Sequence, residues 1–217
     1  MLRSLLVRFR QARKAASPPL NTPYFEKHSK HRHVMPLYDL WPIHGTCYIS
    51  PSASIIGEVR ICHSTAIHDN VVIRGDINAV TIFERTIVYP NTVIHTAASL
   101  PTGTSAEVQI GFKCVIGPKC TLYSCVVEDQ VHIGAGSVIL EGARLEDGCM
   151  IAPGSVVPPG RLIPSKQLWA GNPVRYVRDL LEPDELNISD MLAFEMVNAR
   201  EYVSQFEEIG HAHMYDS

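Results

Sequence analysis

Aliphatic residues recur along this chain with a period of six. Ile43, Ile49, Ile55, Ile61, Ile67 and Ile73 follow one another at that spacing. The phase resets after Asp76, resumes with Ile82, Val88 and Ile94, breaks again, and returns with Ile110, Ile116 and Leu122. After one step of five it runs through Val127, Ile133, Ile139, Leu145, Ile151, Val157 and Ile163. A period of six fits neither a helix nor a long simple strand. It fits short strands that turn a corner every six residues, so that three faces close a triangular coil of about eighteen residues. Such coils stack about 4.8 Å apart. The predicted fold class is all-β: a parallel β-helix of hexapeptide repeats forming a triangular prism over 41–165.

The residue four after each aliphatic is small in most repeats, as at Ala53, Thr65, Thr86 and Ser137, which suits an inner corner with little room. Cys47, Cys114, Cys120 and Cys149 occupy the same position and read as small interior residues. Cys62 and Cys125 complete the set, and no two cysteines form a C-x-x-C pair. Asn, Gly, Asp and Pro gather between the aliphatics, as tight corners require. The stretch 96–108 breaks the period with Ala, Ser, Thr, Gly and Pro, and is expected to protrude as a loop from one corner. Beyond Ile163 the pattern changes. Ile188, Leu192, Ala199, Tyr202, Phe206 and Ile209 lie at helical spacing, so the closing segment 166–217 should hold a long C-terminal helix whose apolar stripe packs on the outside of the prism.

Residues 1–40 read as a basic leader and linker. Met1–Ala16 carries Arg3, Arg8, Arg10, Arg13 and Lys14 among Leu2, Leu5, Leu6 and Phe9, and the first acidic residue is Glu26. This is the pattern of an N-terminal amphipathic helix of mitochondrial targeting type, which, if retained, could lie on a membrane surface or a partner. His28, His31 and His33 fit a solvated linker better than a metal tract. His63, His68 and His132 are expected on the exterior of the repeats. A formal net charge of -3 argues against a nucleic-acid partner. No apolar run reaches the roughly 18 to 20 residues that a membrane span needs.

Two further motifs sharpen the picture: VIRGDIN at Val72–Asn78 and LWAGNPVRYVR at Leu168–Arg178. Together with the repeats they resemble the γ-class carbonic anhydrases over roughly Ile43–Leu181. The resemblance implies a left-handed coil and a trimer with sites between subunits. It also implies zinc held by three histidines, with a fourth position open for an activated water. His95, in NTVIHT, occupies the place of the first ligand. Matching IGFKCVIGPKCTLYS to the family puts Pro118 and Tyr123 at the other two. Proline has no ligating side-chain atom, and a phenol substitutes poorly for imidazole in a zinc site. The family's Gln-Asp pair falls on Tyr89 and Pro90. His95 is therefore a vestigial metal position and Pro118 and Tyr123 are lost ones, leaving no catalytic residue and no cofactor held through the chain's own residues.

If the insertions preserve the order of faces, Arg74, His95 and Tyr123 stack in one column, each following its aliphatic by one, and Pro118 falls on a neighbouring face. Arg74 and Asp76 read as structural, interface residues pairing across a subunit boundary, with anion binding as the alternative.

The resemblance thus implies a non-catalytic subunit acting in assembly and scaffolding. Its place would be a heterotrimer with γ-carbonic-anhydrase paralogues, among the membrane-arm subunits of respiratory complex I. That assembly lies on the matrix side of the inner mitochondrial membrane, with peripheral membrane contact through the N-terminal helix. Zinc would be possible only at an interface between other subunits of the trimer. Two enzyme readings stand beside this one: CO₂ hydration at a site shared with paralogues, and a hexapeptide acyltransferase using His95 as base beside a groove for a pantetheine-bearing donor. A cytoskeletal capping subunit of the same fold is a further reading.

Overall fold

A computed structural model describes residues 33–37, 40–100, 103 and 105–212. The leader helix expected over Met1–Ala16, with His28 and His31, lies outside the described residues, as do the side chains of Phe206 and Ile209.

The chain winds into a parallel β-solenoid of about seven coils. Its first face stacks Val34–Met35, the N-terminal halves of Ser54–Ile61 and Val72–Ile82, and then Val93–His95, Thr121–Tyr123, Val138–Ile139 and Val156–Val157. The second face stacks Ile43–His44, the C-terminal halves of the same two long strands, Val108–Ile110, Val126–Val127, Arg144–Leu145 and Leu162–Ile163. The third runs from Tyr48–Ile49 through Ala66–Ile67, Ile87–Val88, Val115–Ile116, His132–Ile133 and Met150–Ile151 to Gln167–Ala170. The antiparallel strand Arg175–Asp179 then closes the third sheet.

The six-residue aliphatics make the core because each lies in register with its counterpart in the coils on either side. Ile55, Ile73, Ile94, Leu122, Ile139 and Val157 form one such inward column, and all are completely buried. Burial of side chains this size stabilises by about 1.5–3 kcal/mol each. Between columns the inner corners hold small residues. Cys114, Cys120, Cys125 and Cys149 are buried free thiols, and Thr86 and Thr92 donate their hydroxyls to the carbonyls of Gly111 and Gly117.

The first coil departs from the expected phase. Ile43 pairs with Arg60 and is only half-buried, while His44 pairs with Ile61, one residue out of step. Pairing also begins at Val34–Met35, inside the segment expected to be linker. The physical reason is that an end coil has a neighbour on one side only. Its register is held by half the contacts, and its open edge is covered by whatever chain passes over it.

All three irregularities of the repeat fall at one corner, between the first and second faces, in successive coils: Ile73 to Ile82, Ile94 to Ile110, and Leu122 to Val127. The order of faces is preserved across every break.

The C-terminal helix, Glu182–Ala212, lies on the third face. Leu192 and Ala199 are buried against Tyr48, Ala66, Ile87 and Val115, with Ile188, Met191 and Met196 packed around them. Its start is tied down by Arg178, whose guanidinium donates to both oxygens of Asp184 at 2.7 and 3.2 Å, and by the Leu181 amide, which donates to the same carboxylate. His68 and His132 lie on the exterior of the repeats. Both project outward from the third face, yet both are largely covered, because that is the face carrying the helix.

Candidate functional site

Arg74, His95 and Tyr123 are Cα partners in three successive coils of the first face. Each follows a core aliphatic by one residue, so each side chain points outward, and the three form a column about 4.8 Å per step. Tyr123 lies against His95 with ring centroids 4.3 Å apart and planes inclined by 23°. Arg74 is more than half exposed and donates from Nη2 to Asp76 Oδ2 at 2.5 Å. This pair closes within one chain.

The glycine of the RGD sequence is dictated by packing. A Cβ on Gly75 would collide with the backbone of Glu58 in the adjacent coil, and a Cβ on Gly57, whose φ is +82°, would collide with Gly75. Two strands of adjacent coils therefore pass at backbone contact at this corner, which leaves Arg74 and Asp76 projecting on either side of a fixed point.

The loop after His95 folds back beside this column. Ala97, Leu100 and Ala106 form a small buried cluster against which Tyr123 packs. Ser124, in the left-handed conformation with φ 40°, holds the loop at both ends: its Oγ accepts from the Ala97 amide at 2.6 Å and donates to the Ala106 carbonyl at 2.8 Å. Asn78 ties the same loop to the preceding coil through Nδ2 and the Ala97 carbonyl, 2.5 Å, and through its amide and Thr96 Oγ1, 3.1 Å. Neither Ser124 nor Asn78 was singled out by the repeat pattern. The usable signal was the five-residue step at Ser124, which removes one corner residue.

Pro118 stands elsewhere. With Pro90 it belongs to the corner column between the third and first faces, where the Lys119 amide donates to the Pro90 carbonyl and the Gly136 amide to that of Pro118. The first face lies between that corner and Tyr123, so one chain does not unite the three positions. Tyr89 faces the helix: its ring stacks on His68 at 5.3 Å and 7°, and the Glu195 carboxylate of the helix acts on its hydroxyl.

The electrostatics follow from burial. Desolvation lowers the pKa of His95, the Arg74 charge adds to the effect and Asp76 opposes it, so the imidazole is held neutral. Burial, with the nearby Glu195 carboxylate, pushes the Tyr89 phenol up to about 12. Burial likewise raises the thiols of Cys47, Cys114 and Cys125 to about 12, which keeps them protonated and poor as ligands or nucleophiles. Among the described residues, no group of three or more His, Cys, Asp or Glu side chains is placed to hold a metal ion. The residues at the column are one neutral imidazole, one phenol and an ion-paired arginine. They can bind through stacking and hydrogen bonds, and they offer a single nitrogen lone pair.

Comparison with known proteins agrees with the repeats. Residues 124–159 match the family model described as bacterial transferase hexapeptide (six repeats). The chain is 37% identical over 168 residues to "Gamma carbonic anhydrase 1, mitochondrial" of Arabidopsis thaliana, which covers 76% of this chain but only 61% of that protein's length. It is 34% identical over 176 residues to "Gamma carbonic anhydrase-like 2, mitochondrial" of the same plant, covering 81% of this chain and 69% of the relative. The crystal structure of a hexapeptide transferase family protein from Anaplasma phagocytophilum superposes with a TM-score of 0.72 at 30% identity, over 78% of this chain and 97% of that one. By its coils, its closing segment and these similarities, the chain belongs to the γ carbonic anhydrase family of hexapeptide-repeat proteins.

Proposed function

We propose that this chain is a non-catalytic member of its family, a structural subunit that assembles with γ-carbonic-anhydrase paralogues into a heterotrimer. The observation that carries the reading is the column itself. At the two positions where the family resemblance expects further zinc ligands stand Pro118, which has no donor atom, and Tyr123, whose ring is stacked on His95. A lone neutral imidazole cannot hold Zn²⁺ or generate hydroxide from a bound water. In such a trimer, zinc would sit only at an interface formed by the other subunits.

The location that goes with this role is the mitochondrion, on the matrix side of the inner membrane, in the membrane arm of respiratory complex I. Support comes from the mitochondrial names of the plant relatives and from the basic, acid-free leader. Blue-native electrophoresis of mitochondria tests it. Co-migration with a large inner-membrane complex is expected, and migration only as a free trimer defeats the proposal.

One observation favours a second reading. The Anaplasma structure belongs to the hexapeptide transferases, and His95 is a neutral imidazole fit to accept a proton. Acyltransferase activity would require acetyl-CoA to bind the purified protein at micromolar affinity; isothermal titration decides between the two.

A further inference from the structure

The corner between the second and third faces carries an aromatic pair on its outside. At the second position after the core aliphatic, successive coils place His63, Glu84, Phe112, Asp129 and Asp147. Phe112 is the aromatic hydrocarbon in this polar column, and it is 42% exposed. Phe83, from the coil before, lies beside it with ring centroids 5.0 Å apart and planes at 32°. The two rings line a groove of about 350 Å³, walled by Val126, Glu128, Asp129, Arg144 and Asp147. Gly111 is required by packing, since a Cβ there would collide with Asp129 Oδ1 and the Glu128 backbone of the next coil.

The rim is acidic by construction. Asp129 Oδ1 accepts from the Phe112 amide at 2.8 Å, and Asp147 Oδ1 from the Asp129 amide at 2.9 Å, so each carboxylate is held at the corner by the coil it caps. Glu128 is already matched by Arg144, through Nε at 2.8 Å and Nη2 at 2.5 Å. Asp129 and Asp147 form no ion pair among the described residues, although the Arg144 charge also acts on Asp147. The basic residues Arg85, Lys113 and Lys166 stand one position further round the corner, and Lys113 and Lys166 line a groove beside the helix that shares Asp129 and Asp147 with this one.

We propose that this groove docks an arginine side chain presented by a basic segment of a partner polypeptide. A planar guanidinium can lie on the exposed Phe112 ring and the edge of the half-buried Phe83 while its fork of N–H donors reaches the carboxylates at the rim. An apolar side chain would desolvate those carboxylates without pairing them, and an anionic headgroup would be repelled. Aromatic pockets that take arginine are a recurrent form of interface anchor.

The test titrates the full-length protein with a nine-residue peptide of leucine, alanine and arginine, amidated and fluorescently labelled, and with its citrulline counterpart. Saturable binding is expected, at least fivefold weaker for citrulline. Phe112→Ser and Phe112→Leu should each weaken arginine-peptide binding at least fivefold. Phe194→Ser, on the exposed side of the helix, should leave it unchanged. The leucine variant keeps an apolar side chain and removes only the ring face, and circular dichroism of each variant verifies the fold. Equal affinity for the two peptides, undiminished binding by both Phe112 variants, or no saturable binding overturns the proposal. So does self-association of the protein that Phe112→Ser abolishes, which would assign the groove to a second copy of the chain.

Discussion

The imidazole of His95 is stacked on the phenol of Tyr123, and the two residues are exact Cα partners in adjacent coils. Parallel register makes this unavoidable, since outward side chains at matching positions stand about 4.8 Å apart. Tyr123 therefore presents a ring face to His95, and Ala97, Leu100 and Ala106 hold it there. The column is packed on this side.

This bears first on metal content. After chelation, re-exposure to zinc and desalting, the wild-type protein should retain far less than one zinc per chain by plasma mass spectrometry. The double variant Pro118→His, Tyr123→His would place imidazoles at all three positions and should retain zinc once assembled as a homotrimer. Stoichiometric zinc in the wild type would contradict the non-catalytic reading.

Gly75→Ala should destabilise the protein by about 2 kcal/mol or more, because the added methyl meets the Glu58 backbone, which cannot yield as a flexible side chain would. Gly136→Ala is the contrasting case. Its φ is +67°, but the space around it is open, so only the backbone penalty of roughly 1 kcal/mol applies. Urea unfolding of the two variants measures the difference.

Acidification should loosen the helix-bearing face. Burial lowers the pKa of both His68 and His132; for His68 the nearby Glu195 and Asp69 oppose the shift, and for His132 burial acts alone. Glu195 Oε2 lies 4.0 Å from His68 Nε2, and neither that atom nor His132 Nδ1 has a hydrogen-bond partner. Tyr48 and Tyr89 are the other titratable groups against His68, edge-on and stacked. A base whose pKa is lower folded than unfolded binds fewer protons in the native state. Stability is then fully present above the ordinary histidine pKa near 6.5 and declines as pH falls from there through the folded values. The melting temperature should drop over that window, and His132→Leu should flatten the drop. An unchanged slope would show that His132 does not contribute.

The thiols give a kinetic prediction. Cys114, Cys120, Cys125 and Cys149 are buried, and burial raises the pKa of each. At mildly alkaline pH a thiol-reactive disulfide should label these four far more slowly in the native protein than in denaturant, where all six cysteines of the chain react. Rapid native labelling of Cys114 or Cys125 would mean that the coils open readily.

Much of this protein was legible along the chain. In a solenoid the neighbour of residue i is near i+18, so a six-residue aliphatic period states the coil, the inward columns and the small inner corners together, and Cys114, Cys120 and Cys149 lie where the period puts them. The stacking of Arg74, His95 and Tyr123 followed from the same phase, because the register is local and repeats at every coil. What only the tertiary structure decided concerns places where that translation symmetry ends. It set the slipped register of Ile43 at the open edge and brought the three irregular steps to one corner. It also covered His68 with a distant helix, closed Arg74 on Asp76 within the chain, and brought Phe83 beside Phe112. A repeat specifies contacts that recur in every coil. An end, an insertion or a long-range packing partner occurs once, and its geometry depends on what else competes for the same surface.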